Sequence, residues 1–330
     1  MSTLPSVTEP LDEEQAEAAF AALLDGEPSD EEIARFLSDL SDRGETSGEI
    51  AGAARAMRAR LIPVEAPANA IDVCGTGGDG HHTLNVSTAV ALVVAASGVP
   101  VAKHGNRAAS SKAGAADTLE ALGLDLDGAE RTAEQTLADI GICFLFAPKY
   151  HPALVRIHPI RKALAKRTIF NLMGPLANPA RVERQLVGIA RPAYVPIYAD
   201  AIAKLGTEHT LVVSGDEGLD ELSLAGGNEV ADVRGHYASM KRIEPEHVGL
   251  PRSPVTAIRG GDAAHNAAAL KALLLGEPGP YRDAVLFNAA AALMVAGEAD
   301  TWLDAAEEAA EVIDKGLAKA LLDCWIATAK

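Results

Sequence analysis

The chain has 330 residues, which at roughly 100–200 residues per domain predicts about two domains. Hydrophobic residues make up 48% and charged residues 23%, so general disorder is excluded. With 46 acids against 29 lysines and arginines, the net charge is −17 and argues against a general nucleic-acid binder, which needs a broad basic surface.

Residues 1–15 carry neither a basic n-region nor an apolar core, so no targeting segment is expected. Residues 11–61 read as helices. Ala16, Ala19, Phe20, Leu23 and Leu24 recur at helical spacing, as do Ile33, Phe36, Leu37 and Leu40. Pro28-Ser29-Asp30 with Glu31-Glu32 is a helix start with acids in its first turn. Residues 63–69 (PVEAPAN) read as a linker behind a small helical domain. Short apolar runs then alternate with Ala-rich helices. The predicted strands are 71–74, 99–102, 143–146, 186–189, 210–213 and 228–233. The predicted helices are 87–97, 114–122, 131–140, 196–205, 263–275, 282–296 and 301–326. Such alternation predicts an α/β layer structure with a mainly parallel sheet. Residues 152–178 interrupt it with a helix and a Gly-Pro loop but no strand, so this stretch is expected to pack with the N-terminal helices. Thr83–Ala102 is uncharged over 20 residues, but Gly98-Val99-Pro100 divides it, and a buried helix followed by a strand fits better than a membrane span. Cys74, Cys143 and Cys324 lie too far apart for a disulfide framework or a zinc pattern, so a cytoplasmic location is expected.

Two stretches carry chemistry. Cys74-Gly75-Thr76-Gly77-Gly78-Asp79-Gly80 follows a strand and leads into a helix entered at Asn85-Val86-Ser87-Thr88. Glycines let the backbone turn tightly and approach a ligand, and the free N–H groups of a helix start suit phosphate. The stretch matches neither a Walker loop nor GxGxxG. Residues 103–112 (KHGNRAASSK) hold three certain cations and no acid, and are expected as a loop directly after the strand 99–102. A cationic, hydroxyl-rich loop at a strand's C-terminal end is an anion site by charge and donor count.

These residues resemble the anthranilate phosphoribosyltransferases. The resemblance rests on Gly75–Asp79, Asn85–Thr88, Lys103–Arg107 and the block from Ala116-Asp117 to Gly123. It rests also on Phe146–Pro152, Arg167–Pro179 and Gly218-Leu219-Asp220-Glu221, and it runs from about residue 12 into the C-terminal helix. It implies transfer of a phosphoribosyl group from phosphoribosyl pyrophosphate to anthranilate, in tryptophan biosynthesis. It further implies the fold shared with pyrimidine nucleoside phosphorylases and a homodimer formed through the helical domain. Residues 1–66, with about 152–180 packed on them, would be the helical domain. Residues 67–151 and 181–330 would form the α/β domain.

The resemblance also implies residue roles. Gly75, Gly78, Asp79, Thr83, Asn85, Val86, Ser87 and Thr88 would line the phosphoribosyl pyrophosphate. The loop Lys103, His104, Gly105, Asn106, Arg107, Ala108, Ala109, Ser110 and Ser111 would close over it, with Ala115 at its end and Lys103 as the strongest phosphate partner. Gly75, Asn106 and Arg161 would meet anthranilate, with His104, His151 and Pro175 as further acceptor-side candidates. A guanidinium fork is well shaped for a carboxylate. Adjacent Asp220 and Glu221 suit Mg²⁺, a hard cation that takes oxygen ligands, and the resemblance adds the Ser87 hydroxyl. No dedicated nucleophile is evident or needed, because a phosphoribosyl transfer mainly requires positioning and charge stabilisation of a leaving pyrophosphate.

The chain departs from the family's pattern at Ala115, where a serine is common, and at Ala108, Ala113 and Leu154. A lost hydrogen bond to a charged group costs about 1.5–3 kcal/mol where nothing compensates. Two rivals remain at this point. One is a nucleoside phosphorylase, using phosphate as nucleophile. The other is a nucleic-acid-binding relative without activity, for which basic helices and a damaged Asp-Glu pair would be expected. Neither nucleic acid nor membrane is expected as a partner.

Overall fold

The computed structural model describes residues 4–108 and 111–330. Its elements run α1 (Glu13–Asp25), α2 (Asp30–Arg43), α3 (Ser47–Arg58), β1 (Ile71–Gly75), α4 (Val86–Ala96), β2 (Val101–Gly105), α5 (Ala115–Leu122), α6 (Leu126–Arg131), α7 (Ala133–Ile140) and β3 (Ile142–Phe146). They continue with α8 (Ala147–Tyr150), α9 (Ile157–Leu164), β4 (Arg184–Gly188), α10 (Val195–Leu205), β5 (Thr207–Gly215), β6 (Asn228–Gly235) and β7 (Tyr237–Ile243). The last four are α11 (Ala263–Leu274), α12 (Pro280–Ala296), α13 (Trp302–Asp314) and α14 (Leu317–Thr328).

The strands make one sheet in the order β3-β2-β1-β4-β5-β6-β7. The pairs from β3 through β5 are parallel and the last two are antiparallel. The chain therefore leaves β1 toward β2 and later returns to β4 on its other side. The crevice at the C-terminal ends of β1 and β4 is the switch point where open α/β sheets place ligands. Gly75 and Gly188 are paired there.

Each sheet face has its own core. One packs α4, α12, α13 and α14 against Val73, Leu186 and Leu211. Helix α4 is apolar all round because it lies inside this layer. The other joins Phe20, Ile33, Phe36 and Leu37 of the N-terminal helices to Ile157, Ile160, Ile169, Phe170 and Leu176. The same cluster takes in Tyr198 and Ile202 of α10 and Val187 and Val212 of the sheet. Residues 157–177 thus lie between the helices and the sheet. Helix α2 starts where Pro28-Ser29-Asp30 suggested, and the structure adds a capping box there, with the Ser29 hydroxyl accepting from the Glu32 N–H.

Four sequence expectations are corrected. Residues 301–326 form two helices, because Gly316 takes a left-handed φ of 71° between α13 and α14. The helix expected over 131–140 begins at Ala133, and a short helix that was not expected, α6, ends just before it at Arg131. Strand β7 was not expected, since its first six residues are all exposed and give no alternation to read. The fourth bears on the site. Lys103, His104 and Gly105 are not in a loop but complete β2, whose first four residues are buried on both faces. Among the described residues no helix is long and apolar enough to cross a membrane.

Candidate active site

Beyond Gly75 the chain turns through Gly77, Gly78 and Gly80, at φ values of 68°, 77° and 79° that favour glycine. The Gly77 N–H donates to Asp220 Oδ2 at 2.6 Å. A methyl group on Gly75 would overlap the Asp220 carboxylate, and one on Gly188 would overlap the Asp220 main-chain carbonyl. The two paired strand-end glycines therefore let the turn carrying Asp220 and Glu221 settle onto the sheet. Thr83, beyond the loop, bridges to Arg259. Asn85 stands at the N-terminus of α4, where its Oδ1 accepts from Thr118 and Asn266. Val86 is buried, and the buried Thr88 hydroxyl has no hydrogen-bond partner among the described residues. The side chain of Asp79 accepts from the His81 N–H at 3.1 Å.

Lys103 is 2% exposed. Its ammonium donates to the Val73 carbonyl at 2.8 Å and to the Ser87 hydroxyl at 3.2 Å. The Ser87 N–H donates to Glu221 Oε1 at 3.3 Å. Lys103, Ser87, Asp220 and Glu221 thus converge at the ends of β1, β2 and β4. Enclosure pushes both carboxyls up from their ordinary range, Asp220 further because of Asp79 and Glu221 because of Asp220. Burial likewise lowers Lys103, opposed by Asp72. Two acids pressed together and raised in this way favour a cation, so the pair fits Mg²⁺. Among the described residues no group of three or more His, Cys, Asp or Glu side chains forms a metal cage. A bound ion would therefore need substrate oxygens and water to complete its shell, as Mg²⁺ ordinarily does.

The other candidates are distributed unevenly. Gly105 ends β2, where a methyl group would press on the Phe144 ring. Asn106 is exposed, and its Oδ1 accepts from the Arg107 N–H. Arg107 pairs with Asp117 and Glu120 on α5 and lies over the Phe146 ring. The acid-free stretch of sequence is therefore not acid-free in space. Ala108 N–H and Gly114 N–H both donate to Asp117 Oδ2. Ser111 donates to the Ala113 carbonyl, and Ala115 opens α5. Ala109 and Ser110 lie outside the described residues.

The remaining candidates are His104, on β2 beside Lys103, and His151, Pro175 and Arg161. His104 Nδ1 lies 2.9 Å from the Gly174 carbonyl, which can only accept, so this nitrogen carries the proton. Its Nε2, 3.2 Å from His151 Nε2, is left to accept. Burial holds His104 down to about 3, with His151 adding to the effect, and His151 down to about 4. Both rings are therefore neutral near pH 7. Pro175 is buried and its carbonyl accepts from Gln185. Arg161, on α9, donates to Asn171 Oδ1 at 3.3 Å and lies over the Phe170 ring at 5.6 Å. No carboxylate pairs with it among the described residues. Asp216 and Glu217, a second pair of adjacent acids four residues before Asp220 and Glu221, are engaged elsewhere, Asp216 with Arg242 and Glu217 with the Ser223 hydroxyl.

Sequence reasoning missed several supports. Asp72, fully buried on β1, accepts from the His104 N–H, from Asn178 and from the Cys74 thiol. Asn288 on α12 clamps the residue after Glu221, donating to the Leu222 carbonyl and accepting from its N–H. A polar residue inside an apolar helical run was the available signal for Asn288, and an acid inside an apolar strand for Asp72. Gly188 had no signal beyond its place at a strand end.

The glycosyl transferase family, helical bundle domain, matches residues 7–61, and the glycosyl transferase family, a/b domain, matches residues 67–319. An anthranilate phosphoribosyltransferase of Novosphingobium aromaticivorans is 76% identical over 99% of both chains. That of Caulobacter vibrioides is 52% identical over 94% of this chain and 91% of its own. Among solved structures, anthranilate phosphoribosyltransferase from Thermus thermophilus matches with a TM-score of 0.92 at 43% identity, covering 98% of this chain and 97% of its own. The Saccharomyces cerevisiae enzyme in complex with PRPP and Mg matches with a TM-score of 0.87 at 28% identity, over 97% of this chain and 93% of its own.

Proposed function

The chain belongs to the anthranilate phosphoribosyltransferase family, and from that premise we propose its reaction. It transfers the phosphoribosyl group of 5-phosphoribosyl 1-pyrophosphate to anthranilate, giving N-(5-phosphoribosyl)anthranilate and pyrophosphate, in tryptophan biosynthesis. The observation that carries the reading is the meeting of the glycine loop, Lys103, Ser87 and the Asp220–Glu221 pair at one switch point of the sheet.

The bond from ribose C1 to the pyrophosphate oxygen breaks through an oxocarbenium-like state, its electron pair leaving with the pyrophosphate, and the anthranilate amine nitrogen bonds to C1 and gives up one proton to solvent. The chain's part is to position both substrates and to meet the charge that gathers on the leaving group. Beyond Gly77, whose N–H Asp220 takes, the N–H groups of the glycine loop and the Thr88 hydroxyl, unpartnered among the described residues, offer donors to the phosphates. Lys103 sets its Nζ beneath them, between the Val73 carbonyl and the Ser87 hydroxyl. Asp220, Glu221 and Ser87 would hold Mg²⁺, which when bound neutralises the departing pyrophosphate. On the acceptor wall, Arg161 offers its guanidinium to the anthranilate carboxylate. Gly75, Asn106, Pro175 and the neutral His104–His151 pair bound the space for the ring.

We assign residues 1–66 and about 152–180 to the helical, dimer-forming part and the rest to the donor-binding part, in a cytoplasmic homodimer. A single species near 34.2 kDa in sedimentation would refute the dimer. The reaction itself is tested by the decay of anthranilate fluorescence with phosphoribosyl pyrophosphate and Mg²⁺. No decay with that pair, but base release from a pyrimidine nucleoside and phosphate, would establish the phosphorylase reading instead.

A further inference from the structure

Arg167 follows α9 and belongs to the acceptor wall, yet its side chain reaches the donor side. A methyl group placed on Gly78, in the glycine loop, would stand 3.9 Å from its Nη1. The main chain of Arg167 is held, since its carbonyl accepts from the Ser41 hydroxyl on α2 at 2.8 Å. Its guanidinium, in contrast, makes no hydrogen bond or ion pair among the described residues.

The surroundings make that unusual. The groups facing the half-buried guanidinium are Arg191, Glu45, Tyr194 and Asp220. Glu45 is already engaged by the Tyr194 hydroxyl at 3.0 Å, and Arg191 rests over the Tyr194 ring at 5.6 Å. Burial first, and Arg191 second, disfavour the charge on Arg167. Arg107, by contrast, has Asp117 and Glu120 in contact, and Arg161 at least donates to Asn171 Oδ1. A guanidinium partly withdrawn from water, beside a second one and with no contacting carboxylate, lacks compensation that a polyanion would supply. Its planar fork matches two oxygens of a phosphate group.

We propose that Arg167 is a further donor-contacting residue, gripping the diphosphate of phosphoribosyl pyrophosphate from beside the glycine loop. The inference rests on the transferase reading. When the C1–O bond breaks, the electron pair stays on the diphosphate oxygen, and Arg167 meets the charge that develops there. Because α2 holds the Arg167 main chain, the same contact ties the helical part to the glycine loop whenever donor is bound.

The test is steady-state kinetics of Arg167→Gln and Arg167→Lys, with both substrates varied and inorganic pyrophosphate as inhibitor. Arg167→Gln should raise the KM for phosphoribosyl pyrophosphate and the inhibition constant of pyrophosphate by about tenfold or more, the scale of a lost charge-assisted contact. The KM for anthranilate should stay within about twofold, and Arg167→Lys should recover part of the loss. Equal rises in both KM values, a rise for anthranilate alone, or unchanged pyrophosphate inhibition overturns the proposal. Should Arg167→Gln prove too unstable, calorimetric titration of Arg167→Lys with pyrophosphate and Mg²⁺ decides. Wild-type affinity overturns the proposal, and weakened affinity supports it. A wild-type chain that consumes no anthranilate would refute the transferase reading itself, whereas the pyrophosphate titration of wild type against variant still reads the grip.

Discussion

The side of the cleft we propose for the donor is built from strand ends, and the side we propose for the acceptor from a stretch that has no strand. On the donor side Gly75 and Gly188 let the Asp220 turn lie against β1 and β4, and Lys103 fixes its ammonium between the Val73 carbonyl and the Ser87 hydroxyl. On the acceptor side Arg161, His151 and Pro175 come from short helical turns between 151 and 177, held by the core shared with the N-terminal helices. A polyanion is recognised well by backbone N–H groups and enclosed charges, which a rigid sheet positions. A small planar acid needs only a few side chains and a wall, which packed turns can supply. Substitutions should therefore divide by side.

The largest effect is expected on the donor side. Asp220→Asn with Glu221→Gln should lower activity by roughly 10²–10³-fold, because the several kcal/mol that a metal supplies to charge development is lost at about 1.4 kcal/mol per tenfold. Chelation of Mg²⁺ should silence the wild type to a similar degree. Initial rates across a Mg²⁺ series check both. Full activity of the double variant at ordinary Mg²⁺ would remove these two acids from the metal site.

A crossed pair of substitutions sharpens the division. Lys103→Ala should raise the KM for phosphoribosyl pyrophosphate much more than that for anthranilate. Arg161→Ala should do the reverse, by roughly ten- to a hundredfold for anthranilate, because a charge-assisted contact to a carboxylate is lost. Arg161→Lys should restore only part, since the fork is missing. The Tm of each variant is measured on the same preparation. A fall in Tm after Arg161→Ala with an unchanged anthranilate KM would make Arg161 a support for Asn171 and nothing more.

The two sides were also unequally legible in the sequence. Glycines, a strand and a helix start in close succession mark the donor side, and the parallel core was readable from its alternating runs. Lys103 was misplaced because charge in a sequence suggests a loop, while β2 is covered on both faces and keeps its lysine inside. Arg107 looked like a free cation because Asp117 and Glu120, its partners, follow ten or more residues later. Asp72 and Gly188 act through contacts distant in the chain, with Asn178 and with Asp220, which no local pattern encodes. On the acceptor side the absence of a strand suggested packing on the N-terminal helices, but the histidine pair depends on two elements meeting. Exposed β7 carried no pattern at all.

The smallest effect concerns a departure on the donor side. Ala115 is the first residue of α5, just after Gly114, and is only partly buried. It stands close to the end of β2, since a methyl group on Gly105 would be 3.4 Å from its Cβ. A serine at this position would add a hydroxyl donor at a helix start beside the donor-side loop, where anions are already favoured. Water reaches the position, so the hydroxyl would exchange one hydrogen bond for another, and the net gain should fall at about 0.5–1.5 kcal/mol. Ala115→Ser should therefore lower the KM for phosphoribosyl pyrophosphate by roughly two- to tenfold and leave that for anthranilate unchanged. Serine is a slightly poorer helix former than alanine, but at a first helical position the cost is a few tenths of a kcal/mol at most. Tm should therefore barely move. If instead the anthranilate KM responds and the donor KM does not, the start of α5 serves the acceptor, and the boundary between the two sides runs on the other side of β2.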